Sequence, residues 1–163
     1  MTTLTTPTLI NSIVELLTEA YAGPPNPQAT WFIDNDPDAG ILGVIAGISA
    51  AEASTSVDGS DGAGSTIAAN VEHLRWSVAN ANATFRGAPY NPNWAESWVL
   101  IHSDEAKWDE LRRSLRAEYE ALCEILKQQD DLPGEYLNGV LAMIPHAAYH
   151  LGTIRQMLAR IRT

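Results

Sequence analysis

Residues 66–86 read TIAANVEHLRWSVANANATFR. Within them Ile67, Val71, Leu74, Val78, Ala81 and Phe85 recur at alternating steps of four and three, the seam of a helix packed in a bundle. Gly87-Ala88-Pro89 ends the pattern. Three other segments carry the same signal. Over residues 7–21, Leu9, Ile10, Ile13, Leu16, Leu17 and Ala20 make one apolar face, with Thr6-Pro7 as a cap followed by a first-turn proline and Gly23-Pro24-Pro25 as a stop. A third helix is expected from Ser103-Asp104-Glu105, with acids at its N-terminus and a seam of Trp108, Leu111, Leu115, Tyr119, Leu122 and Leu126. The last follows Pro133-Gly134 and runs to the end, with Leu137, Leu141, Ile144, Ala148, Leu151, Leu158 and Ile161 inward and Arg155, Arg160 and Arg162 near its negative pole. Four amphipathic helices without an alternating strand pattern predict an all-α bundle, one domain over residues 1–163.

The connections are uneven. Residues 22–65 form an acidic, Gly/Asp-rich stretch. It opens with a Pro/Asp/Asn loop whose Trp31-Phe32-Ile33 is expected to pack on the core. Residues 40–53 read as a short buried helix, and residues 54–65, with three Gly and two Asp, as a flexible connection. The loop before the third helix carries Asn93-Trp94 and Ser97-Trp98.

Bulk properties exclude several roles. A chain of 163 residues, 45% hydrophobic and 18% charged, is an ordinary globule able to bury a core. The N-terminal Met-Thr-Thr-Leu-Thr-Thr-Pro has no basic region and no apolar stretch, so no secretion signal is expected. The longest apolar run, residues 40–51, is too short to span a bilayer. One cysteine, Cys123, permits no internal disulfide and points to the cytoplasm, and its place on the third helix's inner side suggests packing rather than reactivity. The net charge is −10 and lopsided: no Lys or Arg precedes Arg75, while nine acids do. Nucleic-acid binding, which needs cations at phosphates, is not expected.

The chemistry lies in the histidines. His146-Ala147-Ala148-Tyr149-His150 places two imidazoles one above the other on a helix. His73 sits on the second helix, in a polar stripe with Asn70, Ser77 and Asn80 beside the apolar seam; Met143, His146, His150, Thr153 and Met157 form its counterpart on the last helix. Three neutral imidazoles from two helices would hold a divalent metal and leave open positions for substrate. The alternative is three hydrogen-bonded boundary histidines. Trp94 and Trp98 either roof such a cavity or fill core. His102 reads as a solvent-facing loop residue. Gly152 suggests close approach of a neighbouring helix, and Pro145 a kink near Leu141 that aims or displaces His146.

The stretch Thr66-Ile67-Ala68-Ala69-Asn70-Val71-Glu72-His73-Leu74, then Trp94-x-x-x-Trp98, then His146-Ala147-Ala148-Tyr149-His150-Leu151-Gly152-Thr153-Ile154-Arg155-Gln156 resembles the DinB/YfiT-like superfamily. The resemblance implies a four-helix bundle with a long connection between helices 2 and 3, in many members a homodimer. It implies a metal triad on His73, His146 and His150, and for some members thiol-dependent transfer or isomerisation.

The triad lacks the glutamate of His-Glu-x-x-His, and Glu72 should point about 100° away from His73. A hydrolase would have to ionise its water without a base on these stripes. A thiol needs none, because a coordinating metal deprotonates it. The expectation is therefore a divalent-metal-dependent enzyme transferring a small cytoplasmic thiol to an electrophile, with Asn70, Tyr149 and Arg155 as candidate orienting residues. A metal-dependent hydrolase and a non-catalytic metal- or ligand-binding bundle are the alternatives. Zinc, nickel, iron and copper suit three imidazoles comparably.

Overall fold

The computed structural model describes residues 5–163; the start of the N-terminal stretch read for a secretion signal, residues 1–4, lies outside them. The described residues form six α-helices and no strand: α1 (Thr6–Ala22), α2 (Ile41–Ala46), α3 (Ala50–Ala53), α4 (Ile67–Phe85), α5 (Glu105–Lys127) and α6 (Gly134–Ile161), with a 3₁₀ helix at Trp94–Trp98. Three of the four long helices begin where a side chain satisfies a free amide; α6, which follows Pro133, does not. Thr5, Thr66 and Asp104 accept from Thr8, Ala69 and Lys107 respectively, so the first cap falls one residue before the expected Thr6.

The four long helices close a ring: α4 packs along α5, α5 on α1, α1 on α6 and α6 back on α4. The expected seams of α4 and α5 are buried, save that Ala81 and Phe85 at the end of α4 are only half covered, because a cavity opens there. On α6 the expected inward residues Leu137, Ile144, Leu151, Leu158 and Ile161 lie on the core, whereas Leu141 is 41% exposed and Ala148 half-buried. Val140, Ala147, His150, Ile154 and Met157 are buried beside them, so the interior face of the helix takes in part of the histidine stripe. The helix runs unbroken through Pro145.

The longest connection, residues 23–66, lies between the first and second long helices, and residues 86–104 separate the second and third, where the resemblance placed a long connection. It is ordered by specific bonds. Instead of one short helix it holds two, α2 and α3, separated by Gly47, Ile48 and the Ser49 cap. Gly23 has φ +107°, and a Cβ on it would stand 2.1 Å from the Pro37 carbonyl oxygen, so this turn admits only glycine. The Trp31-Phe32-Ile33 expectation is corrected. The buried Glu19 carboxylate accepts the backbone amides of all three residues, which turns Trp31 (70% exposed) and Phe32 (41%) outward and leaves Ile33 on the core.

The charge asymmetry has a structural use. Acids of the base-free half pair with cations from the other, Asp34 with Arg155 and Glu52 with Arg162, and Asp61 hydrogen-bonds the exposed His102. Arg155 also donates to the Ala39 carbonyl and Arg162 to that of Gly47, so the C-terminal end of α6 holds the long connection at residues 34–39 and 47–52. Trp108, fully buried, donates to the Ile48 carbonyl at 2.7 Å. Cys123 is buried, and burial raises its thiol pKa, which fits packing. No helix among the described residues is long and apolar enough to cross a membrane.

Candidate metal centre

His73 on α4 and His146 and His150 on α6 converge: one ring nitrogen of each lies within 4.8 Å of the others. His73 and His150 are buried, and His146 is half-buried. The Nε2 atoms of His73 and His146 stand 2.9 Å apart. The three lie close enough together to bind one metal ion.

Hydrogen bonds fix which nitrogen faces the centre. Ser97 Oγ, in the 3₁₀ helix, donates its proton to the Trp94 carbonyl at 2.6 Å. It can then only accept from His73 Nδ1, 2.6 Å away, so that ring carries Nδ1–H and points the Nε2 lone pair inward. Asn70 does the same for His150. Its amide nitrogen donates to the Gly64 and Thr66 carbonyls, so Oδ1 faces His150 Nδ1 at 2.9 Å and accepts. Met157 sulfur lies 3.5 Å from the same amide. Each of these two rings thereby keeps an unprotonated Nε2, the nitrogen a cation in the cluster would take up. An outer partner on the second ring nitrogen is how ligating histidines are held and made more basic.

Aromatic rings cover the site. Trp98 stacks on His73 with centroids 4.0 Å apart, and Trp94 tilts against His73 at 5.6 Å and meets His146 edge-on at 6.0 Å. Gly64 lies under Trp98, and a Cβ there would touch the indole at 3.5 Å. The acidic connection thus ends by supplying one carbonyl to Asn70 and a flat seat for Trp98. Of the other candidates, Tyr149 is 69% exposed, its ring against the outer edge of His150, and Arg155 is committed to Asp34 and Ala39. Glu72 pairs with Arg75, away from the cluster, and no carboxylate among the described residues joins it. Gly152 meets no neighbouring helix; a Cβ there would have nothing within 4 Å.

Ser97 was not singled out from the sequence. A serine in a loop between two tryptophans carries no periodic signal, and its role appears only when the 3₁₀ helix lies on α4.

Beside His146 opens a cavity of about 670 Å³, walled by Ser77 and Ala81 of α4, Gly139 and Ala142 of α6, and Trp94. Small side chains on facing helices leave this space empty, and His146 brings the triad to its edge.

Burial holds the rings neutral. Desolvation, then the neighbouring His146, lowers the His73 pKa to about 4; desolvation, then His146 and His73, lowers that of His150 to about 3; desolvation lowers that of His146. In metal-free protein the His73 and His150 ring signals should therefore stay fixed from pH 8 to about pH 5, both as Nδ1–H tautomers, in a long-range ¹H–¹⁵N experiment. Ordinary titration near pH 6.5 would contradict this. The unfolded chain takes up protons below about pH 6.5 that the folded rings refuse. The triad's contribution to stability is thus undiminished above that pH and falls as pH drops toward 4 and then 3.

No protein-family description, curated protein or solved structure matches the chain.

Proposed function

We propose that the chain is a DinB/YfiT-like four-helix bundle whose three-histidine centre holds one divalent metal and transfers a small thiol to an electrophilic substrate. The observation that carries this reading is the pair of fixed tautomers: Ser97 and Asn70 each take the outer proton of a buried histidine, so two lone pairs face His146 Nε2 or the space beside it. Packed histidines without a ligand need no such common aim. The closed ring of long helices, with the triad on the second and fourth, agrees with the bundle.

When bound, the metal supplies a positive charge that keeps a thiol ionised without a protein base. The chain does the rest. Asn70 and Ser97 hold the rings, Trp98 and Trp94 exclude water from one side, and the cavity at His146 receives the electrophile. Asn70 is a positioning residue. Arg155 serves the fold, since both of its described partners belong to the long connection. Hydrolysis, the second enzymatic reading, lacks a carboxylate at the cluster to activate water. For a homodimer, α6 offers Leu141 and Tyr149 as an exposed apolar strip, and the buried free thiol of Cys123 suits a reducing cytoplasm.

The test is elemental analysis of natively purified protein, followed by consumption of a small thiol with a generic aryl halide before and after chelation. Stoichiometric metal and consumption that disappears on chelation and returns on reloading are expected. Consumption that persists in a variant lacking all three histidines would overturn the proposal.

A further inference from the structure

The cavity beside His146 has two unlike ends. Glu135, Gly139, Ala142 and His146 recur along α6 at steps of four, three and four, so one face of the helix lines it from end to end, about 16 Å by helical rise. At the end away from the triad the lining holds Phe85 and Tyr136, their rings 5.6 Å apart, and Tyr90 contributes as well. Glu135 is the only charged side chain in the lining; no Lys or Arg contributes, and no described residue pairs with its carboxylate. Its place in the first turn of α6 accounts for an acid there. It does not account for an exposed, unpaired carboxylate that shares the lining of a mostly apolar chamber with Phe85, Tyr90 and Tyr136.

We infer that this cavity binds an elongated apolar molecule carrying a cationic nitrogen, with the cation at Glu135 and its other end at His146. Aromatic faces and a carboxylate attract an ammonium group, and the same lining repels carboxylates and phosphates. The net charge of −10 adds to this selection at longer range. The inference rests on the proposed function only in treating the His146 end as the reacting one; the binding preference stands apart from it.

The probes are octyltrimethylammonium, octanol and octanoate, titrated calorimetrically into the full chain with and without metal. The ammonium is expected to bind about tenfold tighter than octanol, and octanoate weakest. Glu135→Gln should remove most of the ammonium's advantage and leave octanol binding unchanged. Gly139→Leu projects a side chain into the chamber, where a Cβ has nothing within 4 Å, and improves helix propensity. It should fold, keep its metal content and weaken all three probes at least tenfold. Equal binding of the three probes, preference for octanoate, or unchanged binding in Gly139→Leu would overturn the inference. Ammonium binding with these dependences in a protein that takes up no metal would uphold it while removing the metalloenzyme reading. Metal-dependent thiol transfer without ammonium preference would do the reverse.

Discussion

His150→Ala is expected to weaken divalent-metal binding by a hundredfold or more, and Asn70→Ala, which touches no metal position, by about ten- to a hundredfold. The ligand loss follows from sharing a binding free energy among few donors. The Asn70 effect has a different origin. Its Oδ1 takes the Nδ1 proton of His150, and its amide group donates to the Gly64 and Thr66 carbonyls. Without it the ring loses both its fixed tautomer and its orientation, and two carbonyls lose a buried donor. Asn70→Asp separates these roles. A carboxylate still accepts from His150 Nδ1 and makes the ring more basic, but its second oxygen opposes the two carbonyls. That variant should keep most metal affinity while losing about 2–3 kcal/mol of stability. Metal titration and urea denaturation of the three variants read the two effects independently. Equal metal affinity in Asn70→Ala and the parent protein would show that Asn70 does not position His150.

Why Asn70 could be noticed in the sequence and Ser97 could not is a matter of periodicity. Asn70 stands three residues before His73, in a stripe fixed by the same helical repeat that fixes the seam. The all-helical class, the four long helices and the two histidine-bearing stripes follow from such repeats, because side chains at steps of three and four must share a face whatever packs on it. What the repeat leaves open is the rotation of a helix carrying two candidate faces. On α6, Leu141 stands outside while Leu151 and His150 are both buried, and Asn70, the outer partner of His150, helps fix that rotation. The loops were illegible for a further reason. The orientation of Trp31 and Phe32 depends on Glu19, and the seat of Trp98 on Gly64; both pairings join residues with no shared period. Gly152 was misread because a helical glycine marks either a close neighbour or an absent one, and here it faces open space.

Glu19→Ala should destabilise the protein by about 3–5 kcal/mol, the largest loss expected from any single polar substitution here. Glu19 is 1% exposed, and its Oε1 lies 2.8, 2.7 and 3.1 Å from the amide nitrogens of Trp31, Phe32 and Ile33, with Oε2 3.0 Å from that of Trp31. Truncation leaves three amides facing a cavity where a charged acceptor stood. The consequence extends beyond the loop. The same segment presents Asp34 and the Ala39 carbonyl to Arg155, so releasing residues 31–33 loosens the grip of the long connection on the helix that carries two of the three histidines. Glu19→Gln keeps one acceptor oxygen but turns an amide group toward backbone donors, and should cost about 1–2 kcal/mol. Urea midpoints rank the variants, and amide exchange at residues 31–33 locates the cause. Rapid exchange at those three positions, with the α4 and α5 seams still protected, is the expected pattern. A Glu19→Ala protein as stable as its parent would mean that these amides find other acceptors and that the connection is held without Glu19.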